Sequence, residues 1–495
     1  MLEYYNKAYG KYVSLFLILS ILNFAMLILV FLKEEKGIVI FLSFMYFNIA
    51  TFIIWENYAK KNVIEITHPV IFYALLWSFP FGIIPLLSVF ISSSNILLSK
   101  SYIYVEYIPL SQIMALVSLL FMYMGFKFYQ KIKPFKNDKS LKSWGTFPFY
   151  TTLSLMVILT ILEIVYLLQR DAFILGYTQE LSEHRPSLIS YILALFGYDR
   201  ISIFYLGGAI ILTLIFYSQK LNKKMKIILF ALLLSNIILS IVSAQKERIA
   251  ITLIAFLVYA YYWNKHRFNL NFEKKFIYFV IIFIITMPLF QAYRTAINLT
   301  QEKNLLLILQ NVIDISFEGR DLEFYFYPLK RFDHLTTNLS VVAQTPTFID
   351  YRLGQSYLKS LEAFTILIPK YPKTQDFGKF NNTFAREYNL VEPFDIYTGI
   401  TLPQFTEIYM NFGFYFIPIG MFLLGCFYGF IYNLIRKSNP NTRFIAFILY
   451  YIWVVSFSGL AFSTTMILTI KTLVSALIFL FLLNIDKILK KIIYK

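Results

Sequence analysis

The sequence predicts an all-α polytopic membrane protein with about 12 transmembrane helices, both termini in the cytoplasm and one large outer loop. Three observations support this fold class: the overall composition, the number of long apolar runs, and the distribution of Lys and Arg between the loops. Of the 495 residues, 58% are hydrophobic and only 15% are charged, whereas a typical soluble domain is about 25% charged. The single cysteine, Cys426, excludes an intrachain disulfide.

Each predicted span is an apolar run of about the 20 residues that a helix needs to cross the hydrocarbon core. The first run follows Lys7 and Lys11 and lacks a small-residue cleavage site, so we expect a retained anchor. Pro80 and Pro85 predict that the third span is kinked or interrupted. The predicted spans are 13–32, 37–55, 69–91, 107–126, 148–168, 201–218, 226–244, 249–263, 276–293, 413–435, 444–462 and 466–485.

The loops that follow the fourth, sixth and eighth spans, together with the C-terminal tail, are rich in Lys and Arg. All four lie on the same side of the membrane, which the positive-inside rule identifies as the cytoplasm. Residues 1–293 then carry spans one to nine, residues 294–412 form the large extracytoplasmic loop, and residues 413–495 carry spans ten to twelve and the tail. The net charge of +17 is explained by this topology and by anionic lipid, so no nucleic-acid partner is expected.

Several ionisable residues lie in or beside the predicted spans, where such groups are costly and are by default a functional hypothesis. Arg248 opens the eighth span within the short outer turn "SAQKERIA" (243–250), Arg294 ends the ninth, and Lys471 lies inside the twelfth. Glu163 lies in the fifth. The alternative is that the basic side chains snorkel to the interface and Glu163 pairs with a neighbour.

The outer loop 294–412 contains 13 acidic and 11 basic residues among many aromatic ones. Its cations are suited to binding phosphate and its aromatic rings to stacking on sugars. The alternative is a lid of interfacial helices with snorkelling lysines. The chain has no phosphate-binding G-x-x-x-x-G-K-[ST] loop, no H-E-x-x-H motif and only four histidines. We therefore expect no nucleotide, metal or other cofactor.

Four stretches of the chain resemble the bacterial oligosaccharide repeat-unit polymerases, the O-antigen polymerase (Wzy) family. They are "SAQKERIAITL" (243–253), "RFDHL" (331–335), "LGQSYLKSLEAFTILIPKYPKT" (353–374) and "PQFTEIYMNFGFYFIPIGMFLLG" (403–425). The last contains an E-x-Y-x-N-F-G segment that leads back into the membrane. Lys370 departs from the pattern, because Arg is common at that position.

The resemblance implies a GT-C-like polymerase or ligase architecture in the bacterial plasma (inner) membrane. It also implies a metal-independent glycosyltransferase that builds O-antigen, capsule or exopolysaccharide. Donor and acceptor are oligosaccharides linked to undecaprenyl diphosphate, an acceptor hydroxyl attacks the donor, and undecaprenyl diphosphate leaves. A polysaccharide chain-length regulator is a further candidate partner.

The resemblance assigns the chemistry to cations at the membrane surface and to a general base. The residues expected to bind the diphosphate are Arg248, Arg294 and Lys471. Those expected to bind the glycan or order the loop are Arg320, Arg331, Arg352 and Lys370. The candidates for the base are Asp333, Glu407, His334 and Asp350, with Glu34 and Glu35 as a further option.

Two other functions remain open. An O-antigen ligase would share the architecture and the donor but would transfer to lipid A. A flippase or transporter of lipid-linked oligosaccharide belongs to a different class, whose members tend to show internal repeats and paired broken helices. Only the third span looks broken in this sequence, which favours the enzyme.

The predicted topology can be tested by cysteine labelling in a Cys426→Ala background. A cysteine at Asn381, in the large loop, should react with an impermeant thiol reagent in intact cells, whereas one at Asn137 should be protected because it faces the cytoplasm. The reverse pattern would overturn the orientation.

Overall fold

The computed structural model describes residues 34–61, 68–90, 104–133, 334–358, 380–390 and 402–435, together with short pieces elsewhere. Within these residues every regular element is a helix and none is a strand. The short pieces are 157–158, 161–162, 164–165, 227, 231, 296, 307, 310–314, 442, 445–446, 449–456, 462, 465–466, 469–470, 473 and 477.

The chain forms two compact units, each assembled from separate stretches of sequence. The first unit comprises residues 1–136, 329–434 and 452–467, and the second comprises 137–328, 435–451 and 468–495. The helices described below belong to the first unit, except for the last residue of α9. They are α1 (Glu34–Lys61), α2 (Pro69–Ser78), α3 (Ile84–Phe90), α4 (Ile108–Ile132), α5 (His334–Gln344), α6 (Gln355–Leu358), α7 (Phe380–Glu387), α8 (Gln404–Phe412) and α9 (Ile417–Ile435).

Four helical stretches in the described part of the chain are long and apolar enough to cross a membrane. They are Lys36–Asn57, Pro69–Val89, Tyr104–Ile132 and Phe414–Ile435, with 22, 21, 29 and 22 residues. They coincide with four of the predicted spans, 37–55, 69–91, 107–126 and 413–435, and confirm that these runs form membrane-length helices. The other eight predicted spans lie outside the described residues or are described only in short pieces.

The third predicted span is interrupted, as its prolines predict. Between α2 and α3 the helix widens into a π-helical turn at Phe79–Ile83, which contains Pro80. Because Pro85 has no N–H to donate to the Phe81 carbonyl four residues earlier, that carbonyl lacks its usual helical donor. The Gln112 side chain of α4 supplies one by donating to the Phe81 carbonyl at 3.2 Å. Gly82 makes room for the Phe47 ring, since a Cβ at this position would lie 2.8 Å from it.

Helices α1 and α4 pack side by side and run in the same direction. Near their N-terminal ends, Gln112 Nε2 donates to the Val39 carbonyl at 3.3 Å and to Ser43 Oγ at 2.8 Å. Near their C-terminal ends, Lys127 Nζ and Glu56 Oε1 form an ion pair at 2.5 Å. Contacts at both ends keep the two helices in register. They also give the polar side chains protein partners, which such groups need in lipid because no water is present there.

Helices α4 and α9 cross at very close range because glycines meet backbone. A Cβ on Gly125 would lie 2.0 Å from the Phe422 carbonyl oxygen, and one on Gly425 would lie 2.0 Å from the Met122 carbonyl oxygen. Gly425 and Gly429 have the G-x-x-x-G spacing that allows close helix approach in membranes. This crossing therefore rests on backbone contact that no larger residue permits.

Two helices of the predicted outer loop pack against the membrane-length helices. Helix α5 contacts α4 and the π-helical turn, and α8 contacts α4 and α5. The Phe405 ring of α8 lies 5.8 Å from Trp77 and 5.2 Å from Phe81. Since Phe81 also meets Gln112 in the second turn of α4, α8 begins level with the N-terminal turns of that helix.

The glycine crossing predicts a graded response to added methyl groups. Gly125→Ala and Gly425→Ala should each lower the stability of the folded protein by about 1–3 kcal/mol, because their new Cβ meets rigid backbone. Gly420→Ala is the matched control on α9, since its Cβ would meet the flexible end of Ile408. Thermal unfolding in detergent measures the difference, and equal effects at all three positions would contradict this account.

Candidate functional site

Helix α8 carries the E-x-Y-x-N-F-G segment, and both of its ends are specified locally. Pro403 precedes it in an extended conformation, and Glu407 lies in its first turn, where a negative charge suits the helix dipole. Gly413 ends it with a φ of +82°, which favours glycine. A Cβ at Gly413 would also lie 3.2 Å from the Tyr351 ring. The chain can therefore turn sharply from α8 into α9 only with glycine at this position.

The segment 352–357 caps the C-terminal end of α8. The backbone N–H groups of Arg352 and Leu353 donate to the carbonyls of Met410 and Asn411 at 3.1 and 3.0 Å. These carbonyls lie in the last turn of the helix, where no intrahelical donor exists. Next, Gly354 turns the chain with a φ of +88°, and its N–H donates to Asn411 Oδ1 at 3.0 Å. The E-x-Y-x-N-F-G and G-x-S-Y stretches, which lie more than 50 residues apart, thus form one local structure.

Glu407 is the buried carboxyl of this structure. Its side chain is 0% exposed, and Oε2 accepts a hydrogen bond from the backbone N–H of Phe462. The Tyr357 ring stacks on Phe412 at 5.9 Å and meets Phe462 edge to face at 5.1 Å. Burial raises the pKa of the Tyr357 phenol, and the nearby Glu407 carboxylate raises it further. The phenol is therefore protonated beside the carboxylate at neutral pH.

Helix α5 flanks the other side of α8. The Thr406 hydroxyl donates to Asn338 Oδ1 at 2.7 Å, and both side chains are completely buried. His334, the first residue of α5, lies against Trp77 with ring centroids 4.9 Å apart. Burial lowers the pKa of the His334 imidazole from 6.5 to about 4, so the ring is neutral at physiological pH.

A second polar cluster lies around Arg352. Its guanidinium pairs with Glu387 of α7, with 11% of the Arg352 side chain and 39% of the Glu387 side chain exposed. It also hydrogen-bonds to Tyr388, whose hydroxyl lies 2.8 Å from Thr345 Oγ1. The Tyr409 hydroxyl donates to the Thr345 carbonyl at 2.9 Å. This cluster joins α5, α7 and α8, so Arg352 has a structural role, and its predicted glycan contact stays a prediction.

The structure describes six of the predicted site residues, of which Glu34 and Glu35 are the first two residues of α1. His334 and Glu407 lie on the packed helices α5 and α8, Asp350 is exposed, and Arg352 lies at the cap of α8. The other predicted site residues lie outside the described part of the chain: Arg248, Arg294, Arg320, Arg331, Asp333, Lys370 and Lys471. Within the described residues, no group of three or more His, Cys, Asp and Glu side chains could hold a metal ion.

The sequence prediction missed the residues that assemble this structure, above all Asn411, Ser356 and Tyr357. The one available signal was an Asn in the last turn of an amphipathic stretch directly before Phe-Gly, because such an Asn can bond to a neighbouring turn.

No family model, curated protein or solved structure matches the chain.

The low pKa of His334 makes a prediction about stability. Its folded-state value of about 4 lies below its usual 6.5, so the unfolded chain binds the proton more tightly. The folded protein therefore has its full stability above pH 6.5 and loses stability as the pH falls towards 4. The total loss in the free energy of unfolding is about 3 kcal/mol. His334→Phe keeps a ring against Trp77 but removes the proton site. Its unfolding midpoint should therefore fall less than that of the wild type between pH 7 and pH 4.5, and equal slopes would contradict this account.

Proposed function

We propose that the protein is a polymerase that joins polyprenyl-diphosphate-linked oligosaccharide repeat units into a surface polysaccharide at the outer face of the bacterial plasma membrane. One observation carries the proposal. Two of the stretches that resemble the polymerase family meet at α8, although they are distant in sequence, and the helix that continues from a third packs against it. Gly354 and Ser356 contact Asn411, Tyr357 lies beside Glu407, and α5, which begins at His334, packs on α8.

The described helices also fit the predicted alternation of the spans. Helices α1 and α4 run in parallel, as spans two and four should in either orientation. In the predicted orientation α8 lies at the outer ends of the spans, because it packs near the N-terminal turns of α4. Glu407 is completely buried, and a buried carboxyl group is a default functional candidate, since its ionised form is costly in that position.

The proposed reaction forms one glycosidic bond. An acceptor hydroxyl attacks the anomeric carbon of the donor, the bond from that carbon to the diphosphate oxygen breaks, and polyprenyl diphosphate leaves. We assign Glu407 as the base that takes the hydroxyl proton, ahead of His334 and Asp350. The low pKa of buried His334 makes it a weak base, and Asp350 is exposed to water. The cations proposed to stabilise the leaving diphosphate are Arg248, Arg294 and Lys471.

The two rival functions differ from this proposal in their products. A ligase would transfer the same donor to lipid A, and a flippase would make no covalent product. The E-x-Y-x-N-F-G stretch (407–413) and the I-P-K stretch (368–370) resemble the polymerase family, which favours the polymerase over the ligase. The convergence of polar side chains around a carboxylate favours an enzyme over a transporter.

Glu407→Gln tests the proposal. The purified protein in detergent, given synthetic polyprenyl-diphosphate repeat units with EDTA and without nucleotide, should build a ladder of polymers, because the donor carries its own energy. Glutamine can still accept the Phe462 N–H bond, so the fold is preserved while the base is lost. Turnover should fall about 10²–10⁴-fold, as for the loss of a general base.

Glu56→Gln is the control, since it also converts a carboxylate into an amide but at the opposite ends of α1 and α4. It should leave turnover nearly unchanged. No ladder from the wild type would refute the polymerase, transfer only to lipid A would identify a ligase, and abolition by EDTA would overturn the metal-independent mechanism. An active Glu407→Gln enzyme would pass the role of base to Asp333, for which Asp333→Asn is the next variant.

A further inference from the structure

The Asn411 carboxamide makes three hydrogen bonds, and two of them bind a distant segment. Oδ1 accepts from the Gly354 N–H at 3.0 Å, and Nδ2 donates to Ser356 Oγ at 2.7 Å and to the Glu407 carbonyl at 2.7 Å. Asn411 and Ser356 are both completely buried. A buried amide with three short bonds is a strong local restraint, because losing it leaves buried polar groups unpaired.

The segment that Asn411 holds carries Tyr357. Tyr357 directly follows Ser356, and its ring lies between those of Phe412 and Phe462, close to the Glu407 carboxylate. Phe412 directly follows Asn411 in the chain. The carboxamide therefore restrains the backbone that leads into Tyr357, and the helix that carries the carboxamide also carries the ring on which Tyr357 stacks.

We infer that Asn411 is a positioning residue, which holds Tyr357 and its aromatic neighbours against the Glu407 carboxylate so that the carboxylate keeps the orientation required for proton transfer. This inference rests on the proposed function. Asn411 itself touches neither the donor nor the acceptor. Its effect should therefore appear in turnover rather than in substrate binding.

Two substitutions at Asn411 distinguish the effect of its hydrogen bonds from the effect of the space that its side chain fills. Asn411→Leu has a similar shape and removes all three bonds. Asn411→Asp keeps the bonds to the distant segment, because burial favours the neutral acid: its carbonyl oxygen accepts from the Gly354 N–H, and its O–H donates to the Glu407 carbonyl while accepting from the Ser356 hydroxyl. The Asp variant should therefore rescue most of the function that the Leu variant loses.

Thr406→Val is the matched control. It lies on the same helix, is equally buried, and loses one hydrogen bond of 2.7 Å, but that bond leads to Asn338 and not to the segment with Tyr357. A general loss of stability in α8 should affect this variant as well. A positioning effect should be confined to Asn411.

The experiment measures polymerisation kinetics of the full-length protein with synthetic lipid-linked repeat units. Asn411→Leu should lower kcat roughly 10²-fold, as for a small misplacement of a catalytic group, while KM stays within about threefold. Asn411→Asp and Thr406→Val should keep kcat within about tenfold of the wild type. A wild-type kcat in the Leu variant, a rise in KM alone, or an equal fall in the kcat of Thr406→Val would overturn the inference.

Hydrogen exchange of the same proteins provides a readout that needs no activity. The amides of residues 353–358 should exchange faster in Asn411→Leu, and at the wild-type rate in Asn411→Asp and Thr406→Val. If the wild type makes no polymer but exchange follows this pattern, the proposed function fails and the restraint on Tyr357 stands. If exchange in the Leu variant is unchanged, the positioning inference fails whatever the activity.

Discussion

The last turn of a helix leaves carbonyl groups that need donors, and the way α8 meets this need shapes the rest of the described site. Two backbone N–H groups from residues 352 and 353 satisfy the carbonyls, and the Asn411 side chain continues the pairing into residues 354 and 356. Met410 and Asn411 are completely buried, so such groups cannot be left to solvent. The cap therefore does more than end a helix, since it joins two distant stretches of the chain and places Tyr357 beside Glu407.

The sequence predicts part of this fold well because span length depends on local composition alone. The runs 37–55, 69–91, 107–126 and 413–435 form helices of membrane length, and Pro80 marks an interruption. The form of that interruption could not be predicted. The donor to the Phe81 carbonyl is Gln112, which lies 31 residues away on another helix.

The candidate site shows the same division between local and distant information. Glu407 and His334 could be named from short motifs, but the sequence alone could not rank them, because burial is set by tertiary packing. Trp77 covers the His334 ring, and Phe462 supplies the N–H bound by Glu407. Asn411 was overlooked because its side-chain partners lie 55 and 57 residues away. Arg352, predicted as a glycan contact, proves to be paired with Glu387 inside the loop.

The backbone contact of Gly125 and Gly425 has a consequence for where lipid chains can enter between the helices. Helices that touch through their backbones leave no gap wide enough for an acyl or prenyl chain. Such a chain therefore cannot pass between α4 and α9 where the two helices cross. Helix α5 rests on α4, and α8 leads directly into α9. Helices α5 and α8 are thus both attached to a pair of membrane-length helices that lipid chains cannot separate where Gly125 and Gly425 meet.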